Sequence, residues 1–260
     1  MTRESPPPVR ITFEGQFLTF KEAEDAYPLL VAGYLSPSHM DSIVLAKRKL
    51  SSLARGEMPD SAWGNCRENI VLSTLSAMPK KDDVLRVLDV GGGLGAFYIS
   101  LKISCPQVKV DYAILELADT VEQGNLLFAE FSDVKFIAEM PSENERFDVI
   151  VFGSSLQYFE KYIDIIRTTC SYRPETIILT DCLMGVVDTF VCAQLNVPDR
   201  VLPMWVFNRA EIISLFSDHG YSLQLKSISH FPFHNFANYN NDVSKTRYTN
   251  LIFQRGMLHK

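Results

Sequence analysis

The chain has 260 residues, of which 47% are hydrophobic and 22% are charged, with a formal net charge of −6 at pH 7. This composition is typical of a globular protein and excludes collagen-like, low-complexity and largely disordered chains. Since no cluster of Lys and Arg is interleaved with aromatic residues, we expect no nucleic acid as a main partner. No apolar run approaches the ~18 residues that a membrane helix requires, so no membrane insertion is expected.

The N-terminal residues and the cysteines favour a cytoplasmic protein. The first eight residues, which end in Pro6-Pro7-Pro8, lack the apolar core of a secretory signal. The five cysteines form no CxxC pair, so we expect reduced and mostly buried thiols. The histidines do not occur at metal-ligand spacing, and no metal is expected.

Residues 1–80 are predicted to form an N-terminal helical segment on the acceptor side of the protein. Ser36-Pro37-Ser38 precedes one amphipathic helix, which ends at Gly56. A second helix is predicted from about Ser61 to Met78, because Pro79 stops it.

Residues 81–260 show alternating apolar strands and amphipathic helices, which predict a parallel sheet covered on both faces. A helix from about Arg209 to His219 follows, and two last strands predict an antiparallel pair at the sheet edge. The predicted strands are 85–90, 108–115, 134–138, 147–152, 176–181, 221–229 and 247–254.

The first of these strands ends in the loop Gly91-Gly92-Gly93-Leu94-Gly95-Ala96, which opens a helix. Such a loop places free backbone N–H groups and the positive helix end beside a ligand. Glu116 ends the second strand, about 20 residues beyond the last glycine, where a carboxylate can accept hydrogen bonds from a ribose diol. Dinucleotides and S-adenosylmethionine both require this arrangement.

Asp89 favours S-adenosylmethionine over a dinucleotide. It lies inside the apolar strand, two residues before Gly91. A charge in that position is costly unless a cation or a row of donors compensates it. The ammonium of a methionine moiety would compensate it, whereas a pyrophosphate would be repelled.

The Asp-x-Gly-x-Gly-x-Gly pattern of residues 89–95 resembles motif I of the class I S-adenosylmethionine-dependent methyltransferases, and the resemblance extends over residues 85–256. It implies an α/β fold: a Rossmann-like, seven-stranded, mostly parallel sheet with an antiparallel last strand, preceded by the N-terminal helical segment. Two alternatives stay open. The GxGxxA reading of the loop suits an NAD(P)-dependent oxidoreductase, and the lack of a clear base suits a catalytically degenerate cofactor-binding protein.

Further segments resemble a poorly characterised bacterial family of methyltransferase-like proteins, some of which are associated with surface-polysaccharide gene clusters. Gly93 departs from the serine expected there in that family. The matching segments are residues 33–37, 87–92, 154–158 and 203–207.

The resemblance implies a set of cofactor contacts along the carboxyl ends of the strands. Tyr98 would cover the methionine part or pack in the core, and Ala138 would touch the adenine. Ser154 would lie near the transferable methyl or cap a helix. The full set of expected cofactor-binding residues is Asp89, Gly91, Gly93, Tyr98, Glu116, Ala138, Ser154 and Gln157.

The acceptor is expected to be a small molecule or sugar-like compound that is methylated on O or N. Asp181, which ends the fifth predicted strand, and Tyr158 are the candidate catalytic residues. Trp205, in a segment of residues 183–207 placed above the methyl, would wall the acceptor or pack this lid onto the sheet. His230 and His234 are further candidate bases, with a structural role as the alternative. The sequence leaves a homo-oligomer open.

Overall fold

The computed structural model describes residues 11–32, 48, 51–52, 55, 66–78, 83–195, 199–229, 234–235, 239 and 242–256. The helix predicted after Ser38 lies largely outside the described residues. In these ranges no helix has both the length and the apolar character needed to cross a membrane.

The elements follow one another in two groups. The first group comprises β1 (Ile11–Phe17), α1 (Phe20–Asp25), β2 (Val31–Ala32) and α2 (Cys66–Ala77). The second comprises β3 (Leu85–Val90), α3 (Ala96–Ser104), β4 (Val110–Leu115), α4 (Ala118–Leu127), β5 (Val134–Ile137), β6 (Val149–Gly153), α5 (Tyr162–Ser171), β7 (Thr176–Gly185), β8 (Phe190–Gln194), β9 (Arg200–Asn208), α6 (Arg209–Asp218), β10 (Tyr221–Ile228), β11 (His234–Asn235) and β12 (Arg247–Arg255).

The central sheet has the order β5-β4-β3-β6-β7-β12-β10. Strands β3 to β7 are mutually parallel, and β12 lies antiparallel between β7 and β10. The predicted fold class, a Rossmann-like and mostly parallel sheet with an antiparallel last strand, is confirmed.

The central strands are apolar because both faces of the sheet are covered. On one face, Val149 packs in a buried cluster with Val71 of α2 and Ile99 of α3. On the other face, the neighbouring residue Ile150 packs in a second cluster with Phe216 of α6. Adjacent residues of one strand thus face two separate cores. The strand is therefore apolar throughout and lacks the apolar–polar alternation of a strand that has one solvent-exposed face.

Strand β7 is longer than predicted. It continues past Asp181 to Gly185, and all ten of its residues are buried. The prediction that Asp181 ends the strand is therefore wrong, because the apolar residues 182–184 extend the buried run.

Two strands that the sequence analysis did not predict, β8 and β9, lie in the segment expected to form a lid. Strands β8 and β9 pair antiparallel, with Phe190 opposite Val206. The end of β9 joins the end of β7, where Phe207 pairs with Met184. The expected lid is thus an extension of the sheet, and its described residues are mostly buried.

The described part of the N-terminal segment contains two strands, β1 and β2, as well as helices, which corrects the purely helical prediction. Strand β1 pairs antiparallel with β8 and places Phe13 beside Met204 in a third buried cluster. The second predicted helix is found as α2. The division at residue 80 stays a prediction.

Gly124 of α4 provides a test of the packing between this helix and β5. A Cβ at this position would lie 2.4 to 2.6 Å from three ring atoms of Phe136, including the one nearest its backbone. An open helical glycine gains about 1 kcal/mol from Gly→Ala. Here the overlap should outweigh that gain, so we expect Gly124→Ala to lower the free energy of unfolding in urea by about 1–3 kcal/mol.

The matched control is Asn125→Ala at the exposed neighbouring position, which we expect to change stability by less than about 0.5 kcal/mol. A Gly124→Ala protein more stable than the unmodified chain would contradict this packing.

Candidate active site

The carboxyl ends of β3, β4, β5 and β6 meet at one edge of the sheet, which we call the carboxyl rim. The sheet order reverses beside β3, which pairs with β4 on one side and β6 on the other. Open α/β sheets bind ligands outside the carboxyl ends of their strands at such a switch point. The rim is therefore the candidate site.

The glycine loop between β3 and α3 uses backbone conformations that favour glycine. Gly91, Gly93 and Gly95 have φ angles of 70°, 58° and 74°. A Cβ on Gly91 would lie 2.5 Å from the Cβ of Ser155, so the loop packs closely against the segment after β6. A Cβ on Gly93 would meet no protein atom within 4 Å. The loop thus leaves open space beside Gly93 for a ligand to approach the backbone.

Glu116 lies against this loop, as its spacing predicted. The N–H of Gly93 donates to Glu116 Oε1 at 3.1 Å, and the N–H of Leu117 donates to Oε2 at 2.8 Å. Each oxygen retains acceptor capacity for a further donor. Ile137, the last residue of the neighbouring strand β5, accepts the N–H of Glu116 with its carbonyl at 3.0 Å. Ala138 follows directly and is exposed.

Asp89 is fully buried directly beneath the loop. A Cβ on Gly92 would lie 2.5 Å from its Cγ, and the hydroxyl of Tyr112 donates to its Oδ2 at 3.0 Å. Burial, followed by the charge of Asp89, raises the pKa of Tyr112 well above its usual value, so Tyr112 stays a neutral donor. The sequence analysis missed Tyr112. It could have been found as a residue with a hydroxyl donor on β4, the strand that pairs with β3 and therefore lies beside Asp89.

Gln157 lies in a 3₁₀ turn (Leu156–Tyr158) after β6 and is fully buried. Its Nε2 donates to the carbonyls of Ser154 at 3.1 Å and Asp181 at 3.2 Å. These two carbonyls fix the orientation of the amide, because its oxygen would be repelled there. The opposite atom, Oε1, is buried without a hydrogen-bond partner among the described residues.

One candidate catalytic residue, Tyr158, lies in this turn, and the other, Asp181, lies in the neighbouring strand β7. Asp181 is buried in β7, with a φ of 50°, and follows the residue that pairs with the end of β6. Tyr158 donates its hydroxyl to Gln194 of β8 at 2.8 Å. Ser154, which has a φ of 60°, donates its N–H to the carbonyl of Thr180 at 2.8 Å.

Trp205 packs strand β9 against α1 and α5. Its Nε1 donates to the carbonyl of Phe159 at 3.1 Å, and its ring contacts Phe20 and Tyr162. These contacts favour the alternative in which Trp205 packs against neighbouring elements over the alternative in which it lines an acceptor pocket. His230 lies outside the described residues, and His234 lies in β11 at the far edge of the extended sheet.

Tyr98 is also a core residue, which corrects its expected contact with the cofactor. It is fully buried, and its hydroxyl donates to Asp133 Oδ1 at 2.6 Å. Asp133 directly precedes β5 and thus lies at the amino ends of the strands, away from the carboxyl rim. The packing alternative holds because α3 turns this side chain toward the sheet, where it contacts Tyr112 and Phe128.

In the part of the chain that the structure describes, no group of three Cys, His, Asp or Glu residues could hold a metal ion. The candidate site therefore consists of the glycine loop, two acidic residues and the turn after β6.

The chain shares its fold with solved methyltransferases. No protein-family profile and no curated protein matches its sequence. The 1,6-didemethyltoxoflavin-N1-methyltransferase of Burkholderia thailandensis, solved with 1,6-didemethyltoxoflavin and S-adenosylhomocysteine, is similar with a TM-score of 0.51 and 16% identity over 88% of this chain and 94% of that chain. An S-adenosylmethionine-dependent methyltransferase of Clostridium acetobutylicum is similar with a TM-score of 0.51 and 12% identity over 81% and 97%. At these identities the similarity establishes the Rossmann-like methyltransferase fold.

Tyr98 also gives a test of the pH dependence of stability. Burial acts to raise the pKa of Asp133, but hydrogen bonds from Lys102 and Tyr98 outweigh it, so this pKa lies below its usual value. We expect Tyr98→Phe to lower the free energy of unfolding at pH 7 by about 1.5–3 kcal/mol, because a hydrogen bond to a charged group is lost. This difference should be complete above pH ~4 and shrink as the pH falls through the lowered pKa, because Asp133 then loses its charge.

Chemical denaturation between pH 7 and pH 3 measures this difference. The control is Tyr221→Phe, since Tyr221 donates to the neutral carbonyl of Pro174 at 3.0 Å. A Tyr98→Phe difference that is as independent of pH as the Tyr221→Phe difference would contradict the role of Asp133.

Proposed function

We propose that this chain is an S-adenosylmethionine-dependent methyltransferase that transfers a methyl group to an O or N atom of a small-molecule or sugar-like acceptor. The observation that carries the proposal is the hydrogen bond between Gly93 and Glu116, with Asp89 buried beneath the same loop. This arrangement brings the carboxylate of Glu116, the open space beside Gly93 and the buried Asp89 together at the carboxyl rim, which supports binding of a ribose and an ammonium group there.

The residues of the rim fit the parts of this cofactor. Glu116 has acceptor capacity left on both oxygens for the two ribose hydroxyls, and the space beside Gly93 admits a ligand close to the backbone. The exposed Ala138 follows the strand next to Glu116, which suits the adenine. Asp89 and Gln157 Oε1 are hydrogen-bond acceptors, which suit the ammonium of the methionine part.

The same groups speak against a dinucleotide. A pyrophosphate carries negative charge and needs donors or cations. Asp89 beneath the loop would repel it, and the buried Oε1 of Gln157 offers no donor. We therefore favour methyl transfer over NAD(P)-dependent oxidation.

When bound, S-adenosylmethionine supplies an electrophilic methyl group on a sulfonium. The chain must then hold the acceptor atom about 3 Å from that methyl and in line with the breaking bond, and such orientation can contribute about 7–11 kcal/mol. A general base adds about 10²–10⁴-fold in rate. Asp181 is the candidate to orient the acceptor or take its proton, and Tyr158 is the second candidate at the rim.

One comparison supports a small-molecule acceptor, because the methyltransferase of Burkholderia thailandensis is named for 1,6-didemethyltoxoflavin and was solved with that compound bound. The proposal includes a cytoplasmic location and excludes nucleic acid as the acceptor, consistent with the formal charge of −6.

Calorimetric titration with S-adenosylhomocysteine tests the cofactor. We expect saturable binding, and we expect Glu116→Ala to weaken it at least about tenfold because a charged acceptor for the ribose and the loop is lost. Glu122→Ala, which removes an exposed carboxylate of α4, should leave the affinity unchanged. Absence of heat with a folded sample, or binding of NADH instead, would contradict the proposal.

Transfer of a radiolabelled methyl group from S-adenosylmethionine to methyl glycosides, nucleosides, catechols and primary amines tests the reaction. We expect one of these classes to be labelled, and Asp181→Asn to reduce that rate by about 10²–10⁴-fold if the carboxylate takes the proton. Glu122→Ala again serves as the control. Binding of S-adenosylhomocysteine without labelling of any compound would favour the degenerate cofactor-binding protein.

A further inference from the structure

A β-bulge interrupts β7 at the carboxyl rim. The pairing of β7 with β12 shifts between Leu179 and Cys182, so that Thr180 and Asp181 together oppose the single residue Asn250. Bulges of this kind redirect side chains and are common beside active sites. The φ of 50° at Asp181 is unfavourable for a residue with a Cβ, so the surrounding contacts must hold it.

Asn250 supplies those contacts from the opposite strand. Its side chain is fully buried, and its Oδ1 accepts the N–H of Asp181 at 2.9 Å. Its Nδ2 donates to the hydroxyls of Ser227 at 3.1 Å and Ser229 at 2.9 Å. The N–H of Asp181 can only donate, so it fixes the amide with Oδ1 toward Asp181. The Ser229 hydroxyl also lies 3.2 Å from Oδ1 and thus contacts both ends of the amide. On the other side, the carbonyl of Asp181 accepts the Nε2 of Gln157 at 3.2 Å.

The bulge lies level with the end of β6. Gly153, the last residue of β6, pairs with Thr180, and the N–H of Ser154 donates to the Thr180 carbonyl at 2.8 Å. Two non-glycine residues with positive φ, Ser154 and Asp181, therefore lie on neighbouring strands at the rim. Backbone strain concentrated in this way is typical of functional sites.

We propose that Asn250 is a positioning residue that holds the bulge so that the carboxylate of Asp181 faces the methyl group to be transferred, where it accepts a hydrogen bond from the acceptor. This inference rests on the proposed function. Because the carboxylate of Asp181 is a hydrogen-bond acceptor, the fitting substrate presents an O–H or N–H donor rather than a carboxylate or phosphate.

Sinefungin provides a probe that needs no knowledge of the substrate. In this analogue of S-adenosylmethionine a protonated amine stands in place of the transferable methyl, whereas S-adenosylhomocysteine carries nothing there. The ratio of the two affinities, measured by calorimetry, therefore reports which groups face the methyl position. A charge-assisted hydrogen bond to Asp181 should make this ratio about tenfold in favour of sinefungin.

We expect Asp181→Asn and Asn250→Ala each to lower the ratio about tenfold, while the affinity for S-adenosylhomocysteine stays within about twofold. The double variant should show no further loss beyond Asp181→Asn, because Asn250 acts through Asp181. Ser227→Ala is the matched control. It removes one hydrogen bond of the Asn250 amide but leaves the bond to Asp181, so the ratio should not change.

A merely structural role of Asn250 would lower the melting temperature of Asn250→Ala without changing the ratio, and that result would overturn the proposal. An unchanged ratio in Asp181→Asn would overturn it as well. If Asn250→Ala does not fold, Ser229→Ala, which removes one hydrogen bond from each end of the amide, should lower the ratio at least about twofold. Failure of the unmodified protein to bind S-adenosylhomocysteine would instead refute the proposed function itself.

Discussion

The hydrogen bond from Gly93 to the carboxylate of Glu116 is the contact on which the candidate site depends. It joins the first turn after β3 to the end of β4 and thereby sets the height of the glycine loop above the sheet. The left-handed φ of 58° at Gly93 directs its N–H to that carboxylate, and the missing Cβ keeps the adjoining space open. A side chain at this position would be strained by the left-handed φ and would occupy part of the adjoining space.

Negative charge and lone pairs dominate the rim around this contact. Asp89 lies beneath the loop with Tyr112 as a neutral donor, and Gln157 has its amide nitrogen committed to two backbone carbonyls. The buried Oε1 of Gln157 has no hydrogen-bond partner among the described residues, and a buried acceptor is costly unless a donor satisfies it. The site is therefore complementary to ligands that bring ammonium, amine or hydroxyl groups, which is the common basis of the proposals for cofactor and substrate.

Local sequence patterns predicted the central sheet and the acid at Glu116. Parallel strands buried on both faces read as continuous apolar runs, and the interval between loop and acid follows from one strand–helix–strand unit. Strand β1 was missed because its partner β8 is distant in the chain. The pair β8–β9 is local, but β8 is buried throughout and β9 contains Pro203, so neither shows the alternation that marks a strand. The position of Tyr98 in a helix did not reveal which face it occupies. The bulge at Asp181 was unpredictable because it depends on Asn250, 69 residues further along.

The placement of β12 between β7 and β10 has a consequence for biosynthesis. Among the described strands β12 is translated last, yet it fills the gap between two strands that are made earlier. Until it leaves the ribosome, the nascent chain presents two unpaired strand edges, which are prone to wrong pairing. Since Asn250 belongs to the same strand, its hydrogen bond to Asp181 at the carboxyl rim forms only when β12 is inserted between β7 and β10.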